Sequence, residues 1–176
     1  MAKSQTLGPD PIHAAITRLA EAISSRHTDR SGLMLLGIAN GGIVLARRLA
    51  RALGITHVGT IDISFHRDDI GRNPIPKEFV PTVIPADVHG STVILVDDVL
   101  FSGRTVKAAL DELFDHGRPT KVELAVLVDR GGRMLPVAAD YTGLALDAGA
   151  DEKVVVHLDA DDPAADYVKV HPQAKR

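Results

Sequence analysis

Cysteine and tryptophan are absent from this sequence, and other aromatic residues are few: two tyrosines and four phenylalanines among 176 residues. The absence of cysteine excludes disulfide bonds, thiol chemistry and cysteine-ligated metal sites, and it is compatible with an intracellular protein. With so few aromatic side chains, we expect an aliphatic core and no stacking platform of the kind that binds single-stranded nucleic acid.

Long apolar runs are missing as well. No stretch approaches the roughly 20 apolar residues of a membrane span, and the first residues, MAKSQTLGPD, have no hydrophobic signal core. The formal net charge of −3 argues against broad, nonspecific affinity for nucleic acid, although it leaves room for a local basic face. We therefore expect a cytoplasmic protein with no membrane partner, built as a single domain over residues 1–176.

Apolar periodicity alternates between helical and strand-like segments. Helices are predicted from Asp10-Pro11, from Ile43 to Leu53 and from about Gly103 to His116, and strands at 32–38, 58–65, from Val93, at 122–128 and at 153–158. This alternation predicts an α/β fold with a parallel sheet and helices on both of its faces. We expect a core over about residues 11–158, a functional or mobile segment at 66–82, and a polar, loosely held tail at 159–176.

The run VILVDDVLFSGRT, from Val93 to Thr105, combines an apolar strand, two carboxylates and a small polar turn. Small residues at a helix start let several backbone amides converge on a phosphate, to which the hydroxyls of Ser102 and Thr105 add donors. Asp97 and Asp98 would repel phosphate, but they suit ribose hydroxyls or a magnesium ion. The run therefore predicts a site for a sugar phosphate; the plain alternative is an ordinary turn and helix start.

As a whole, this run resembles the phosphoribosyl-pyrophosphate signature of type I phosphoribosyltransferases. The aromatic residue in DDVLFSGRTV is similar to one branch of them, the PyrR family of pyrimidine-operon regulators and uracil phosphoribosyltransferases. Further segments that agree, between about Pro11 and Leu158, are AITRLA, LLGIANGGIVLARRLA, IDISFHRDD, HGRPTKVELAVLVDRGGR and LPVAADYTG. The resemblance implies a Rossmann-like, parallel-sheet phosphoribosyltransferase fold with a small hood and a mobile lid loop at about residues 66–82.

The resemblance also implies roles for individual residues in binding phosphoribosyl pyrophosphate. Asp97 and Asp98 would hold the ribose hydroxyls, and the 5′-phosphate would lie against the end of the signature. That binding segment comprises Asp97, Asp98, Val99, Leu100, Phe101, Ser102, Gly103, Arg104 and Thr105. The pyrophosphate loop would comprise Ala39, Asn40, Gly41 and Gly42, whose glycines allow close backbone approach to an anion; without the family context these residues are equally a strand-to-helix turn.

Three further expectations concern the rim of the sheet. Arg67, followed by Asp68 and Asp69, would start the lid and act in catalysis, or would belong to a solvated charged loop. Asp129 and Arg130 would contact uracil, the diphosphate or a metal. Magnesium would bind through the substrate, with Asp97, Asp98 and Asp129 as candidate ligands.

The reaction implied converts uracil and phosphoribosyl pyrophosphate to UMP and pyrophosphate, with catalysis mainly by positioning and electrostatic stabilisation. The resemblance further implies UMP-responsive binding of the pyrimidine-operon mRNA leader, attenuation of transcription, and a homodimer or larger homo-oligomer. Arg18, Arg26 and Arg133 are the candidates for contacts to RNA on one basic face.

The sequence departs from the family pattern in ways that leave alternatives open. Many relatives have Thr-Arg-Gly where this chain has Asn40-Gly41-Gly42, so we expect weak activity because the arginine is missing at Gly41. Glu21 after TRLA and the acidic loop DAGADEK weaken the electrostatic case for RNA.

One alternative is therefore a non-catalytic or weakly catalytic, nucleotide-sensing RNA-binding regulator. Another is a magnesium-dependent phosphatase or receiver domain, which the SGRT turn fits poorly. The eight histidines show no ligand spacing and are expected mostly at the surface.

Overall fold

A computed structural model describes residues 5–66 and 80–172 of the chain. Its elements in chain order are β1 (Gln5–Leu7), α1 (Pro9–Arg26), β2 (Leu33–Ile38), α2 (Gly42–Leu53), β3 (Val58–Ile61), β4 (Thr92–Leu100), α3 (Arg104–Asp115), β5 (Lys121–Asp129), β6 (Tyr141–Ala145), β7 (Glu152–His157), a short 3₁₀ helix (Pro163–Ala165) and β8 (Tyr167–Pro172). Five strands form a parallel sheet in the order β3-β2-β4-β5-β6. In the described part of the chain, no helix is both long and apolar enough to cross a membrane.

The sheet is covered on both faces, which confirms the predicted α/β architecture. β2 is buried along its whole length, as the continuous apolar run indicates. The face beneath α1 and α2 includes Leu35, Ile94, Val96, Ala125 and Leu127. The face beneath α3 includes Met34, Leu36, Val93, Leu95 and Val126.

Two predicted boundaries were wrong. Asp10 does not cap α1, because the helix begins at Pro9, after Gly8, and Asp10 lies in its first turn. Proline is tolerated in this turn because its missing amide would have no partner within the helix. The predicted strand at 58–65 ends at Ile61. Asp62 ends it, because its carboxylate accepts hydrogen bonds from the backbone amide (3.1 Å) and the hydroxyl (2.7 Å) of Ser64 and so stabilises a turn.

The expectation of a loosely held tail does not hold for its described residues, 159–172. β8 pairs with β1 and β7 in a separate antiparallel sheet of order β1-β8-β7, which corresponds to the small hood expected from the resemblance. Val168 and Val170 of β8 are buried in the core that contains α1. Asp166, just before β8, is 2% exposed and forms an ion pair with Arg48 of α2. Its carboxylate also accepts a hydrogen bond from the amide of Asp159 at 2.9 Å, so the segment around Asp166 is fixed to the body of the fold.

Candidate functional site

Asp97 and Asp98 lie inside β4 rather than at its end. The strand continues to Leu100 because it remains paired with β5, Asp97 opposite Val126 and Leu100 opposite Asp129. The regular alternation of side chains is broken at this point, because Leu100 packs on the same face as Val93 and Leu95. The two carboxylates interact with each other, and the carboxylate of Asp97 also accepts a hydrogen bond from the amide of Asp98 at 3.0 Å. Asp97 is 5% exposed, whereas Asp98 is half-buried. Two acids in so buried a stretch need a ligand or a proton to balance them.

The electrostatics of the pair follow from this burial. Burial raises the pKa of Asp97 well above its ordinary value, and the neighbouring Asp98 raises it further. Burial also raises the pKa of Asp98, while hydrogen bonding to the backbone amide of Val99 opposes the rise. Within residues 5–66 and 80–172, no lysine, arginine or histidine forms an ion pair with either carboxylate. The pair is therefore suited to accept hydrogen bonds from hydroxyl groups or to face a cation.

The turn after β4 leads directly into α3. Gly103 has a φ of 91°, and α3 follows with no acidic residue in its first turn and no side-chain cap. The carbonyl of Ser102 accepts hydrogen bonds from the amides of Met134 and Leu135, both at 3.0 Å, which hold the turn in place. The amide of Arg104 donates a hydrogen bond to the Ser102 hydroxyl at 3.3 Å. The other amides at the helix start carry partial positive charge, so the turn can receive an anion.

The remaining residues of the predicted phosphate-binding segment are divided between surface and core. Phe101, Arg104 and Thr105 are exposed at the turn or the start of α3. Leu100 belongs to the core beneath α3, and Val99 packs against the core on the opposite face. The side chains of Val99 and Leu100 thus support the site from inside the sheet.

The predicted pyrophosphate loop, residues 39–42, joins β2 to α2 and lies against β4. A Cβ atom at Gly41 would lie 2.4 Å from Cγ of Asp98, and one at Gly42 would lie 1.9 Å from the carbonyl oxygen of Val96. The amide of Ala39 donates a hydrogen bond to Ile61 at 2.9 Å, and the Ala39–Asn40 peptide bond is cis. The structure therefore brings this loop next to the acid pair.

Arg130 is placed differently from the prediction. Its guanidinium carbon lies 4.1 Å from the centre of the Phe101 ring, and the group donates hydrogen bonds to the carbonyls of Glu152 (2.8 Å) and Gly149 (3.0 Å). Arg130 is 6% exposed and so joins the signature turn to the segment that leads into β7. This geometry makes it a positioning residue for Phe101 rather than a cation facing the acid pair.

Asp129 is also committed to neighbouring groups. Its carboxylate forms an ion pair with Arg133 at 2.5 Å and accepts a hydrogen bond from the amide of Gly131 at 2.9 Å. These contacts lower the pKa of Asp129 despite its partial burial, which acts in the opposite direction. Arg67, Asp68 and Asp69, like most of the lid predicted at about residues 66–82, lie outside the described residues, which resume at residue 80.

The three arginines predicted to contact RNA each have a different partner in the described part of the chain. Arg26 contacts Glu123 near the start of β5, whereas Arg133 contacts Asp129 at the end of the same strand. Six residues of strand separate these anchors, about 20 Å. Arg18 donates a hydrogen bond to the carbonyl of Gly143 at 2.9 Å. Each side chain thus has an acceptor within the protein, and a common basic face for RNA stays a prediction.

Several residues that shape the site were missed from the sequence. Gly132 leaves room for the Phe101 ring, since a Cβ there would lie 2.6 Å from it. Leu135 and Val137 pack beneath Gly103, each with a side-chain atom 3.2 Å from the position of a Cβ there. The signal available was the glycine pair and apolar residues in RGGRMLPV, directly after β5.

The contacts of Arg26 belong to a buried charge network near the start of β5. This is the opposite end of the strands from Asp97 and Asp98. Glu123 is 1% exposed and lies 2.7 Å from both the Tyr141 hydroxyl and Nε2 of His27. The ammonium of Lys121 lies 2.5 Å from its other oxygen. Burial alone would raise the pKa of Glu123, but hydrogen bonds from Lys121, Tyr141 and His27 outweigh it and lower the pKa to about 2.

This network predicts an acid-dependent loss of stability. A carboxylate whose pKa is lower in the folded than in the unfolded chain stabilises the fold fully above the unfolded value, and that stabilisation is lost as the pH falls through the folded value. For Glu123 the window runs from 4.5 down to about 2. We expect the difference in unfolding free energy between wild type and Glu123→Gln, measured in urea, to shrink as the pH falls from 5 to 3. The exposed Glu21→Gln is the control; equal pH slopes for wild type and Glu123→Gln would contradict the assignment.

Comparison with known proteins places this geometry in a family. A family described as "Phosphoribosyl transferase domain" matches residues 9–161. The chain is 50% identical over 161 residues to "Bifunctional protein PyrR" of Streptomyces coelicolor, covering 88% of this chain and 82% of the relative. It is 44% identical over 174 residues to the protein of the same name from Roseiflexus sp., covering 96% and 94%.

Solved structures show the same fold. A hypoxanthine phosphoribosyltransferase of Trypanosoma cruzi superimposes with a TM-score of 0.67 at 21% identity, covering 94% of this chain and 95% of that one. A hypoxanthine-guanine phosphoribosyltransferase of Bacillus anthracis gives a TM-score of 0.66 at 22% identity, covering 88% and 87%.

Proposed function

Because the chain belongs to the phosphoribosyl transferase family, and within it to the PyrR proteins, we propose that it is a uracil phosphoribosyltransferase that also regulates pyrimidine-operon expression by UMP-responsive binding to mRNA. The observation that carries the catalytic part is one contiguous arrangement. The glycine loop between β2 and α2 abuts Asp98, and the strand that carries Asp97 and Asp98 leads within a few residues to the uncapped start of α3. These three elements match the pyrophosphate, ribose and 5′-phosphate of one substrate.

In the proposed reaction, N1 of uracil forms a bond to the anomeric carbon of the ribose while the bond from that carbon to diphosphate breaks. The electron pair leaves with diphosphate, and the N1 proton is released. Asp97 and Asp98 accept hydrogen bonds from the ribose hydroxyls, and the start of α3 holds the 5′-phosphate. Amides of the 39–42 loop face the leaving diphosphate. Their contribution is positioning together with electrostatic stabilisation of the departing group.

The residues present fit a magnesium ion that binds with the substrate. Asp97 and Asp98 offer the oxygen ligands that this ion prefers. Asp97 is buried and Asp98 half-buried, and neither has an ion-pair partner within residues 5–66 and 80–172, so positive charge would stabilise both. Asp129 fits less well, because its carboxylate is bonded to Arg133. When bound, magnesium would neutralise charge on the diphosphate oxygens.

We propose that turnover is modest. Gly41 supplies no side-chain cation to the diphosphate, and Arg130 is held by the carbonyls of Gly149 and Glu152. The same observations favour a second candidate function, a nucleotide-sensing regulator that binds UMP without forming it. In either case the protein would act as a homodimer or larger homo-oligomer.

An assay with labelled uracil, phosphoribosyl pyrophosphate and magnesium tests the catalytic proposal. We expect UMP and pyrophosphate in equal amounts, and no nucleotide when hypoxanthine or guanine replaces uracil. If no UMP forms at millimolar substrates but UMP binds to the protein, the second candidate function holds instead. The regulatory part requires salt-dependent binding to the RNA leader of its own operon that strengthens when UMP is added.

A further inference from the structure

A group of metal-ligating side chains lies away from the acid pair, where the segment after β3 meets the C-terminal end of α3. Glu112, Asp115 and His116 are spaced i, i+3 and i+4 on α3, and such residues share one face of a helix. His66 reaches this face from the turn that follows β3, and its amide donates a hydrogen bond to Ile63 at 3.0 Å.

The ligand atoms converge on one point. Nε2 of His66 lies 2.9 Å from Oε2 of Glu112 and 3.5 Å from Oδ2 of Asp115. One ligand atom from each of these three residues lies within 4.8 Å of the other two. Two atoms bonded to one tetrahedral zinc ion at about 2.1 Å lie about 3.4 Å apart. The two separations from His66 lie on either side of this value, so small side-chain shifts would let the three atoms bind a single ion.

Residues around this group already orient its central carboxylate. Oε1 of Glu112 accepts a hydrogen bond from the Thr82 hydroxyl at 2.7 Å, and Nε2 of His116 lies 3.2 Å from the same oxygen. The Thr82 hydroxyl in turn accepts a hydrogen bond from the amide of Asp62 at 2.9 Å. Metal-binding carboxylates are commonly held by such outer hydrogen bonds, and here they leave Oε2 directed at His66.

Glu112 is held ionised by the same contacts. Its burial would raise its pKa, but hydrogen bonds from Thr82, His116 and His66 together lower it.

We propose that His66, Glu112 and Asp115 form a binding site for a divalent transition-metal ion, with zinc the preferred probe. One imidazole and two carboxylates suit zinc, while magnesium prefers an all-oxygen shell. Glu112 lies eight residues beyond Arg104, about 12 Å along the helix from the phosphate-binding turn. The site is thus separate from any magnesium that accompanies the substrate, and its ion would join the segment after β3 to α3.

Isothermal titration of metal-free protein with zinc chloride tests the site. We expect one ion per chain with a micromolar or tighter Kd, and at least about a tenfold weaker Kd for His66→Gln and for Asp115→Asn. Asp115 is 70% exposed, so Asp115→Asn should fold normally. His89→Gln, a change at an exposed histidine, and Asp98→Asn, a change in the acid pair, should leave the zinc Kd unaltered.

Thermal unfolding and anomalous diffraction test the same site independently. A hundredfold excess of zinc over its Kd should raise the Tm of wild type by roughly 5–10 °C and that of His66→Gln by much less. Crystals grown with zinc should show an anomalous peak between His66 and Glu112. Millimolar binding, equal affinity in all variants, or a peak only elsewhere would overturn the proposal.

Discussion

Asp98→Asn is expected to lower kcat/KM for UMP formation by about 100-fold, which corresponds to about 2.7 kcal/mol of transition-state stabilisation. The carboxylate lies against the glycine loop at Gly41, where the proposed binding mode brings the ribose next to its leaving diphosphate. An amide replaces a charged acceptor with a neutral one, and charge-assisted hydrogen bonds are roughly twice as strong as neutral ones. The substitution also removes a negative charge that, in the proposed reaction, would stabilise positive charge developing on the ribose ring. The loss should appear with saturating uracil, in initial-rate measurements that vary phosphoribosyl pyrophosphate.

The matched control is Asp111→Asn. Asp111 is an acid on the outer side of α3 that forms an ion pair with Lys107, and exposed pairs of this kind contribute little to stability. It should retain the wild-type rate. If Asp98→Asn keeps more than half of the wild-type kcat/KM while its unfolding free energy is unchanged, Asp98 does not hold the ribose and the proposed substrate orientation is incorrect.

The acid pair shows how far local sequence determines a site. A buried strand has no internal use for Asp97 and Asp98, so their presence in VILVDDVL predicted a ligand-binding edge, and the structure places them beside the glycine loop. Their position within the strand was not predictable, because β4 is prolonged to Leu100 by pairing with β5. That pairing involves residues almost 30 positions away in the chain.

Other errors arise from the same long-range contacts. Residues after Leu158 are polar overall, but Val168 and Val170 of β8 are buried in the core. Asp166, just before β8, binds Arg48, a residue 118 positions away in the chain. The partners of Arg18 on β6 and of Arg26 on β5 were likewise not visible in the sequence. Charge alone does not reveal which side chains are already paired.

The proposed metal site of His66, Glu112 and Asp115 could not be recognised from residue spacing in the sequence. His66 and Glu112 are 46 positions apart, so no short motif links them. Only the packing of the segment after β3 against α3 brings them together. The i, i+4 pair Glu112 and His116 was visible in the sequence, but such pairs are common on helix surfaces and do not by themselves indicate a ligand set.

A series of glycine-to-alanine changes is expected to separate the roles of the glycine loop. At Gly42 the new Cβ would lie 1.9 Å from the Val96 carbonyl oxygen and 2.8 Å from its carbon. These are backbone atoms of a central strand, so the start of α2 must move away from β4. We expect Gly42→Ala to destabilise the protein by about 3 kcal/mol, at the upper end of typical overpacking, and to lower the Tm by roughly 6–12 °C. Activity should fall by about 100-fold or more, because a shift of about 1 Å at a catalytic loop has that effect.

Gly41→Ala and Gly32→Ala complete the series. At Gly41 the atoms nearest to the new Cβ belong to the carboxylate of Asp98, the first of them at 2.4 Å. This side chain can rotate away, so stability should change little. Activity should fall, because Asp98 would leave the position proposed to bind the ribose. At Gly32 nothing lies within 4 Å of the new Cβ, and both properties should stay at wild-type values. Thermal unfolding and UMP formation, measured on all three variants, give the comparison. Equal stability of Gly42→Ala and Gly32→Ala would show that the loop does not press on β4, and full activity of Gly41→Ala would show that Asp98 and the loop act independently.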